Sequence, residues 1–398
     1  MLAGRKVVLG VTGGIAAYKA AELTRALVKK GAHVRAIMTA NAMEFITPLT
    51  MQTLSGNPVC GGMFSPPQDF EMAHISLSDF ADILVIAPAT ANVIGKIASG
   101  IADDLLTATV MAAKAPVLIC PAMNVNMLTN VAVQENMVKL AARGYYLLEP
   151  GYGELACNTE GAGRLPDIPE IVEEMETILT AKDLTGENLL VTAGPTREPL
   201  DPVRFITNYS SGKMGYALAV AAKRRGAGIT LISGPSSLAV PRGVHFIGVE
   251  TAREMREAVM AHYQEATVII KAAAVADYRP AERSDIKIKK QEGAFSLSME
   301  RNPDIIEELG RLKGNRLLIG FAMESNDLVE NARDKLLKKN MDYIAANMIA
   351  VKGVGFQSDT NIVTIIGRDG GIEELPRMDK LQVADKILDK IKVVRGNV

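Results

Sequence analysis

Tryptophan is absent from this chain of 398 residues, and nine Tyr and nine Phe leave few rings on which bases could stack. Lys+Arg (44) and Asp+Glu (45) nearly cancel, so the basic stripe of a nucleic-acid binder is missing as well. The three cysteines, Cys60, Cys120 and Cys157, show neither CxxC nor zinc-ligand spacing. They exclude a paired disulfide framework, indicate no structural metal and suit a reducing compartment. No apolar run approaches the ~20 residues of a membrane span. The opening Met-Leu-Ala-Gly-Arg-Lys lacks the apolar core and cleavage site of a signal peptide. These absences predict a cytoplasmic protein with no nucleic-acid and no membrane partner.

What the chain does contain is one pattern written twice. Lys6-Val-Val-Leu-Gly-Val-Thr-Gly-Gly14 and Asn188-Leu-Leu-Val-Thr-Ala-Gly-Pro-Thr196 are each a short Val/Leu-rich run that meets glycine just before a helical pattern. A run too short for a helix, ending this way, reads as a buried strand entering a phosphate-binding turn. Two such starts predict two domains, residues 1–180 and 186–398, each of ordinary domain size. Residues 1–180 hold 12 Lys+Arg against 17 Asp+Glu, and the remainder 32 against 28. The second half is therefore the better suited to anionic ligands.

In the first half, strands are expected at 34–38, 83–87, 117–120 and 146–148, with helical patterns between them. Alternating β and α at this spacing predicts a parallel sheet covered on both faces, a Rossmann-like α/β domain. Ligands of such sheets sit at the carboxyl ends of the strands. The loops there are Gly13-Gly14, Thr39-Ala40-Asn41, Pro88-Ala89-Thr90-Ala91-Asn92 and Pro121-Ala122-Met123-Asn124. A nicotinamide dinucleotide would require GxGxxG and an acidic end to the second strand. The turn instead reads Gly10-Val-Thr-Gly-Gly-Ile and the strand ends at Thr39, which suits a mononucleotide phosphate held by backbone N–H groups and hydroxyls.

Val11-Thr-Gly-Gly-Ile-Ala-Ala-Tyr-Lys19, Ala87-Pro-Ala-Thr-Ala-Asn92, Gly100-Ile-Ala-Asp-Asp-Leu-Leu106 and Pro121-Ala-Met-Asn-Val-Asn-Met127 resemble the FMN-dependent cysteine decarboxylases, in particular those acting on phosphopantothenoylcysteine. The resemblance covers the whole half, with Leu128 where the family motif carries Trp. It implies FMN and substrate positions at Gly13, Gly14, Ile15, Thr39, Pro88, Ala89, Thr90, Asn92 and Met123. It implies that His74 is the base beside the flavin, a role an arbitrary histidine would not be given. It implies that Asn124, otherwise an ordinary helix N-cap, holds the substrate carboxylate, and that Cys157 is a proton donor. Cys157 lies in Gly151-Tyr-Gly-Glu-Leu-Ala-Cys-Asn-Thr-Glu-Gly-Ala-Gly-Arg-Leu165, a glycine-dense polar stretch read as a loop that covers the site. Cys120, at a strand end, is ordinary packing. A cysteinyl carboxylate has no adjacent electron sink, and oxidising its thiol and β-carbon to a thioaldehyde makes one.

The second half is expected to be another Rossmann-like α/β domain, with strands at 189–192, 229–233, 245–249, 268–270, 317–321 and 343–346. Segments 295–299 and 362–366 alternate like edge or arm strands. Ser211-Gly-Lys213 is not a P-loop, because the first glycine of that motif would fall at Thr207 and its hydroxyl at Met214. Val191-Thr-Ala-Gly-Pro-Thr-Arg-Glu198, Asn208-Tyr-Ser-Ser-Gly-Lys-Met-Gly215, Ala272-Ala-Ala-Val-Ala-Asp-Tyr278, Lys287-Ile-Lys-Lys290, Asn302-Pro-Asp-Ile305 and Gly320-Phe-Ala-Met-Glu324 resemble the phosphopantothenate-cysteine ligases. The resemblance implies CTP positions at Ala273, Asp277, Lys287, Asn302, Pro303, Asp304, Ile305, Phe321, Lys335 and Lys339. It implies catalytic lysines at Lys287 and Lys289, and Asn208 positioning an acyl-cytidylate. Mg2+ accompanies CTP, with Asp277 a candidate ligand.

Together the halves resemble the bifunctional enzymes of coenzyme A biosynthesis, which take 4'-phosphopantothenate, cysteine and CTP. That resemblance implies a homo-oligomer, with trimeric contacts in the decarboxylase half and dimeric contacts in the ligase half. A different class of reading is a flavin-binding electron carrier or sensor fused to a nucleotide-binding module; it has no need of His74, Asn124 and Cys157 together.

Overall fold

Alternate residues of the strand Lys6–Val11 enter two different hydrophobic cores: Val7, Leu9 and Val11 pack into one, and Val8 into the other. The computed structural model describes residues 2–60, 62–63, 72–154, 160–289, 295–324, 327–348 and 358–396. It divides into two compact units, Met1–Thr180 and Ala181–Val398.

The first unit is built on a five-stranded sheet whose order is His33–Met38, Lys6–Val11, Ile83–Ala89, Val117–Pro121, Tyr146–Leu147. Every pairing in it is parallel. Burial on both faces explains why these strands read as unbroken apolar runs rather than alternating ones. Each fully buried Val, Leu or Ile in such a layer stabilises the fold by about 1.5–3 kcal/mol. Lys6–Val11 leads into a short 3-10 turn, Ile15–Tyr18, and then the helix Lys19–Lys29.

The glycine-dense stretch expected to be a loop forms an antiparallel hairpin instead, Gly151–Glu154 against Glu160–Arg164. Glycine supplies it with backbone that side-chain-bearing residues avoid. At Gly163 φ is +141°, and a Cβ would lie 2.1 Å from the carbonyl oxygen of Met123. The hairpin is therefore fastened to the Pro121–Asn124 loop, with Met123 N–H donating to Gly163 O at 3.0 Å. Cys157 lies outside the described residues.

The second unit carries an eight-stranded sheet ordered His245–Gly248, Gly228–Ser233, Asn188–Ala193, Val268–Lys271, Leu317–Glu324, Tyr343–Met348, Thr364–Gly367, Ile372–Glu374. The first six strands are parallel, and the last two add antiparallel ones, so this sheet is mixed. Segment 362–366 is thus corrected: Thr364–Gly367 lies inside the sheet and Ile372–Glu374 forms the edge. Segment 295–299 is corrected too, since the strand is Met299–Arg301, paired with Tyr278–Pro280 away from the main sheet. All three residues Met299–Arg301 are exposed, so this alternation has no core face to anchor its register. The passage 180–187 supplies Leu184 to the second core.

Candidate active sites

In the first unit a cavity of about 1210 Å3 opens at the carboxyl ends of the parallel strands. Its floor is the turn after Lys6–Val11. A Cβ on Gly13 would stand 2.3 Å from the Cβ of Asn41, so only glycine lets the two loops close. Thr12 ties the next loop in place: its hydroxyl donates to Pro88 O at 2.7 Å and accepts from Thr90 N–H at 3.0 Å. Thr39 caps the helix Ala40–Met43 by accepting from Ala42 N–H at 3.2 Å. Asn124 caps Val125–Leu128, its Oδ1 accepting from Asn126 N–H at 2.8 Å.

Gly13, Gly14, Ile15, Thr39, Pro88, Thr90, Asn92, Met123 and Asn124 all line this cavity. Ala89 is buried beneath it, and its carbonyl accepts from Ala122 N–H at 3.0 Å. His74 is half-buried in the helix Ala73–Phe80 and is not among the residues that line the cavity. Leu128, at the position of the family Trp, is buried. Asn41, Lys96, Asp104, Glu154 and Arg164 also line the cavity, although the sequence motifs did not single them out as site residues. Lys96 hydrogen-bonds Asp103 Oδ1 at 2.8 Å and Asp104 Oδ2 at 3.3 Å, and the bond to Asp103 holds its ammonium above the ordinary lysine range. The Asp103-Asp104 pair in the quoted motif was the available signal. Burial pushes the Cys120 thiol far up, which removes it as a reactive thiolate.

The second unit has a smaller cavity, about 160 Å3, lined by residues that include Ala273, Phe321, Ser210, Lys213, Asn347 and Lys380. Asn208 lies beside it, Nδ2 donating to Ala274 O at 3.0 Å. Asn302 is fixed among neighbours: its Nδ2 donates to Ala276 O at 2.9 Å, its N–H to Asp277 O at 2.9 Å, and its Oδ1 accepts from Arg279 at 2.9 Å. After Pro303, Asp304 caps the helix Ile305–Leu312 and pairs with Lys339 at 2.8 Å. Ile305 has its side chain in the core, so only its backbone can face a nucleotide. Lys335 pairs with Glu324 at 2.6 Å.

Lys271, which no sequence motif marked, ends the strand Val268–Lys271. Burial draws its pKa down to about 8, Asp304 and Asp277 opposing and Lys339 reinforcing the shift.

Lys287 and Lys289 are exposed and do not line the cavity. What holds their segment is Asp201, whose carboxylate accepts from Ile288 N–H at 3.1 Å and from the Arg204 guanidinium at 2.6 and 3.0 Å. Arg204 in turn donates to Ile288 O at 2.8 Å. The Arg204 guanidinium holds the Asp201 carboxyl well below the usual carboxylate range.

A family described as Flavoprotein matches residues 1–180, and one described as DNA/pantothenate metabolism flavoprotein C-terminal domain matches 184–394. The coenzyme A biosynthesis bifunctional protein CoaBC of Bacillus subtilis (strain 168) is 50% identical over 395 residues, 98% of this chain and 97% of the relative. The chain belongs to the CoaBC family. Among solved structures it is similar to the C-terminal domain of a CoaBC protein, at 44% identity and TM-score 0.48, covering 55% of this chain and 100% of that one. It is also similar to the FMN-dependent cysteine decarboxylase SpaF, at 34% identity and TM-score 0.39, covering 43% and 95%. Among the described residues of this CoaBC family member, no helix is long and apolar enough to cross a membrane. No group of three or more His, Cys, Asp or Glu among them is set to hold a metal ion.

Proposed function

We propose that the second unit joins 4'-phosphopantothenate to cysteine at the expense of CTP, and that the first unit decarboxylates the product to 4'-phosphopantetheine in the cytoplasm. The observation that carries this reading is the near-full-length match to a bifunctional coenzyme A biosynthesis protein in a chain that has a cleft at the strand ends of each unit.

The first cleft fits FMN. Its volume accepts a mononucleotide with a tricyclic ring, its glycine floor admits backbone N–H groups at close range, and hydroxyls of Thr39 and Thr90 stand at the rim. FMN, when bound, would take two electrons from the cysteinyl thiol and β-carbon and return them after CO2 has left, so that the product is again a thiol and the net redox change is zero. Gly13, Gly14, Ile15, Thr39, Pro88, Thr90, Asn92 and Met123, which line the cleft, would hold FMN. Asn124 orients the substrate carboxylate, and Cys157 gives a proton to the carbon of the enethiolate left when CO2 departs. His74 serves as base from a neighbouring subunit. Met72 at the N-cap of its helix and Ile75 within that helix are exposed, and the cleft is rimmed by Ile15 and Tyr18, at 61% and 58% exposure. Apolar surface left open at both places supports a homo-oligomer closed across the flavin site.

In the second unit Lys287, Lys289 and Lys339 neutralise the nucleotide's phosphates, with Asn302 and Phe321 beside the base and sugar. Mg2+ binds through one or two carboxylates and substrate phosphates, a role open to the exposed Asp277. Asn208 holds the acyl-cytidylate while the cysteine amine displaces CMP. Flavin-loaded protein given 4'-phosphopantothenate, cysteine, CTP and Mg2+ is expected to release pyrophosphate, CMP and CO2. Pyrophosphate without CO2 would remove the decarboxylase half of the proposal, and no pyrophosphate would remove the ligase half.

A further inference from the structure

One cation of the second unit stands among charges and is bonded to none of them. Lys271 ends the inner strand Val268–Lys271, with Thr192 beside it on one neighbouring strand and Gly320 on the other. Residues of a strand alternate between faces, and Ile269, two positions earlier, packs in one core with Ile305, Ile306 and Leu336. Lys271 therefore stands on the face covered by the helices Ile305–Leu312 and Leu328–Lys338. A lysine is uncommon there, because its ammonium has to give up water. The charged groups that face it are Asp304, the N-cap of the first helix, Lys339, the C-cap of the second, and the exposed Asp277. With none of these, nor with any other described residue, does its ammonium make a hydrogen bond or an ion pair. Burial brings its pKa to about 8, so it titrates close to neutrality.

What occupies Asp304 instead is Lys339. One carboxylate oxygen of Asp304 accepts from Glu307 N–H at 3.1 Å, and the other meets the Lys339 ammonium at 2.8 Å. The backbone of Lys339 is pinned, since a Cβ on Gly310 would lie 2.1 Å from its carbonyl oxygen and Asn340 Nδ2 donates to Gly310 O at 2.7 Å. Only its side chain can turn. The side chains of Lys339 and Asp304 are 26% and 40% exposed, and an ion pair so open to water is held weakly enough to part when a phosphate offers more charge. We propose that Lys271 is a positioning residue of ligation, which takes over Asp304 as Lys339 turns to the nucleotide; that task of Lys339 rests on the function proposed above. Without the exchange, nucleotide binding would strip Asp304 of its cation, and Asp304 would hold Lys339 back.

The test uses the full-length chain and CTP with Mg2+, titrated calorimetrically at pH 8 in two buffers of different ionisation enthalpy. Departure of Lys339 and access to Asp304 both favour the charged form of Lys271, so its pKa rises on binding. Wild type is expected to take up as much as about half a proton per CTP through this group. Lys271→Met and Lys271→Arg are expected to lose that uptake, the first because it carries no charge and the second because a guanidinium stays charged. In steady-state ligation, Lys271→Met is expected to raise KM for CTP about tenfold with a smaller change in kcat, and Lys271→Arg to recover most of the affinity. In an Asp304→Asn background, which keeps the helix cap, Lys271→Met is expected to have no further effect on KM. Wild-type proton uptake in Lys271→Met would overturn the proposal. So would an undiminished rise in KM in the Asp304→Asn background, which would put Lys271 on the nucleotide itself. A wild type that neither binds CTP nor ligates would sink the ligase reading and this proposal with it, whereas one that ligates while Lys271→Met keeps its proton uptake sinks the proposal alone. Should Lys271→Met fail to fold, Lys271→Arg decides: CTP binding without the uptake supports the exchange, and unchanged uptake overturns it.

Discussion

The two units begin alike, with a buried strand running into glycine, and differ in what they do with the strand ends. The first opens a cavity of about 1210 Å3 walled by small residues, amides and hydroxyls, with charges of both signs at Lys19, Lys96, Asp104, Glu154 and Arg164. The second closes to about 160 Å3 and sets two lysines in the wall. Burial draws two lysines of this unit, Lys271 and Lys380, toward neutrality. A flavin ring asks for a wide, pre-shaped slot, whereas the nucleotide and acyl-cytidylate proposed for the second unit ask for charge that stays in place. One supersecondary start therefore serves two chemistries, and side chains after the turn decide which.

That contrast can be broken most severely at Cys157. Cys157→Ser is expected to lower CO2 release by about 100-fold or more, the usual weight of a positioned proton donor, while pyrophosphate release is unchanged. Equal loss in both assays would mean the units are not chemically separate. At Asp201, Asn substitution removes the clamp on the segment of Lys287 and Lys289, and misplacement of that order lowers ligase kcat by up to about 100-fold. Wild-type kcat in Asp201→Asn would show that the segment is ordered by something else.

Gly13→Ala tests the floor of the first cleft. Its Cβ would collide with Asn41, so purified protein should lose its flavin absorbance while ligation persists. A yellow Gly13→Ala protein would relocate the phosphate.

The smallest effect is on stability. A lysine whose folded pKa is lowered to about 8, from an ordinary 10.5, costs stability wherever it is protonated in the folded chain. Between about pH 8 and 10.5 the unfolded chain binds more protons than the folded one, so the second unit should gain stability as pH rises through that window. Lys380→Met should flatten the gain, measured as the pH dependence of the second unit's melting temperature. An equally steep profile in the variant would place the shift on other groups, Lys271 first among them.

The parallel strands were legible because each is buried on both faces and so spells its position in consecutive Val, Ile and Leu. The loops that form the first cleft were legible for the same reason, since they follow directly from those strand ends. The hairpin Gly151–Glu154/Glu160–Arg164 was not, because it is held by backbone approach to Met123 and not by an apolar face. Thr364–Gly367 hid its place inside the sheet, which depends on pairing with Tyr343–Met348.

Sequence by itself determined the two α/β halves, the glycine turns and the family, because these are local matters of apolar run length, turn chemistry and motif. Only the tertiary structure brought Lys213 and Lys380, 167 positions apart in the numbering, to one cavity, and set Asp201 against Ile288. Local spacing carries no information about such pairs. Lys213 and Lys380 meet because two helices far apart in the chain begin beside the carboxyl ends of the same inner strands.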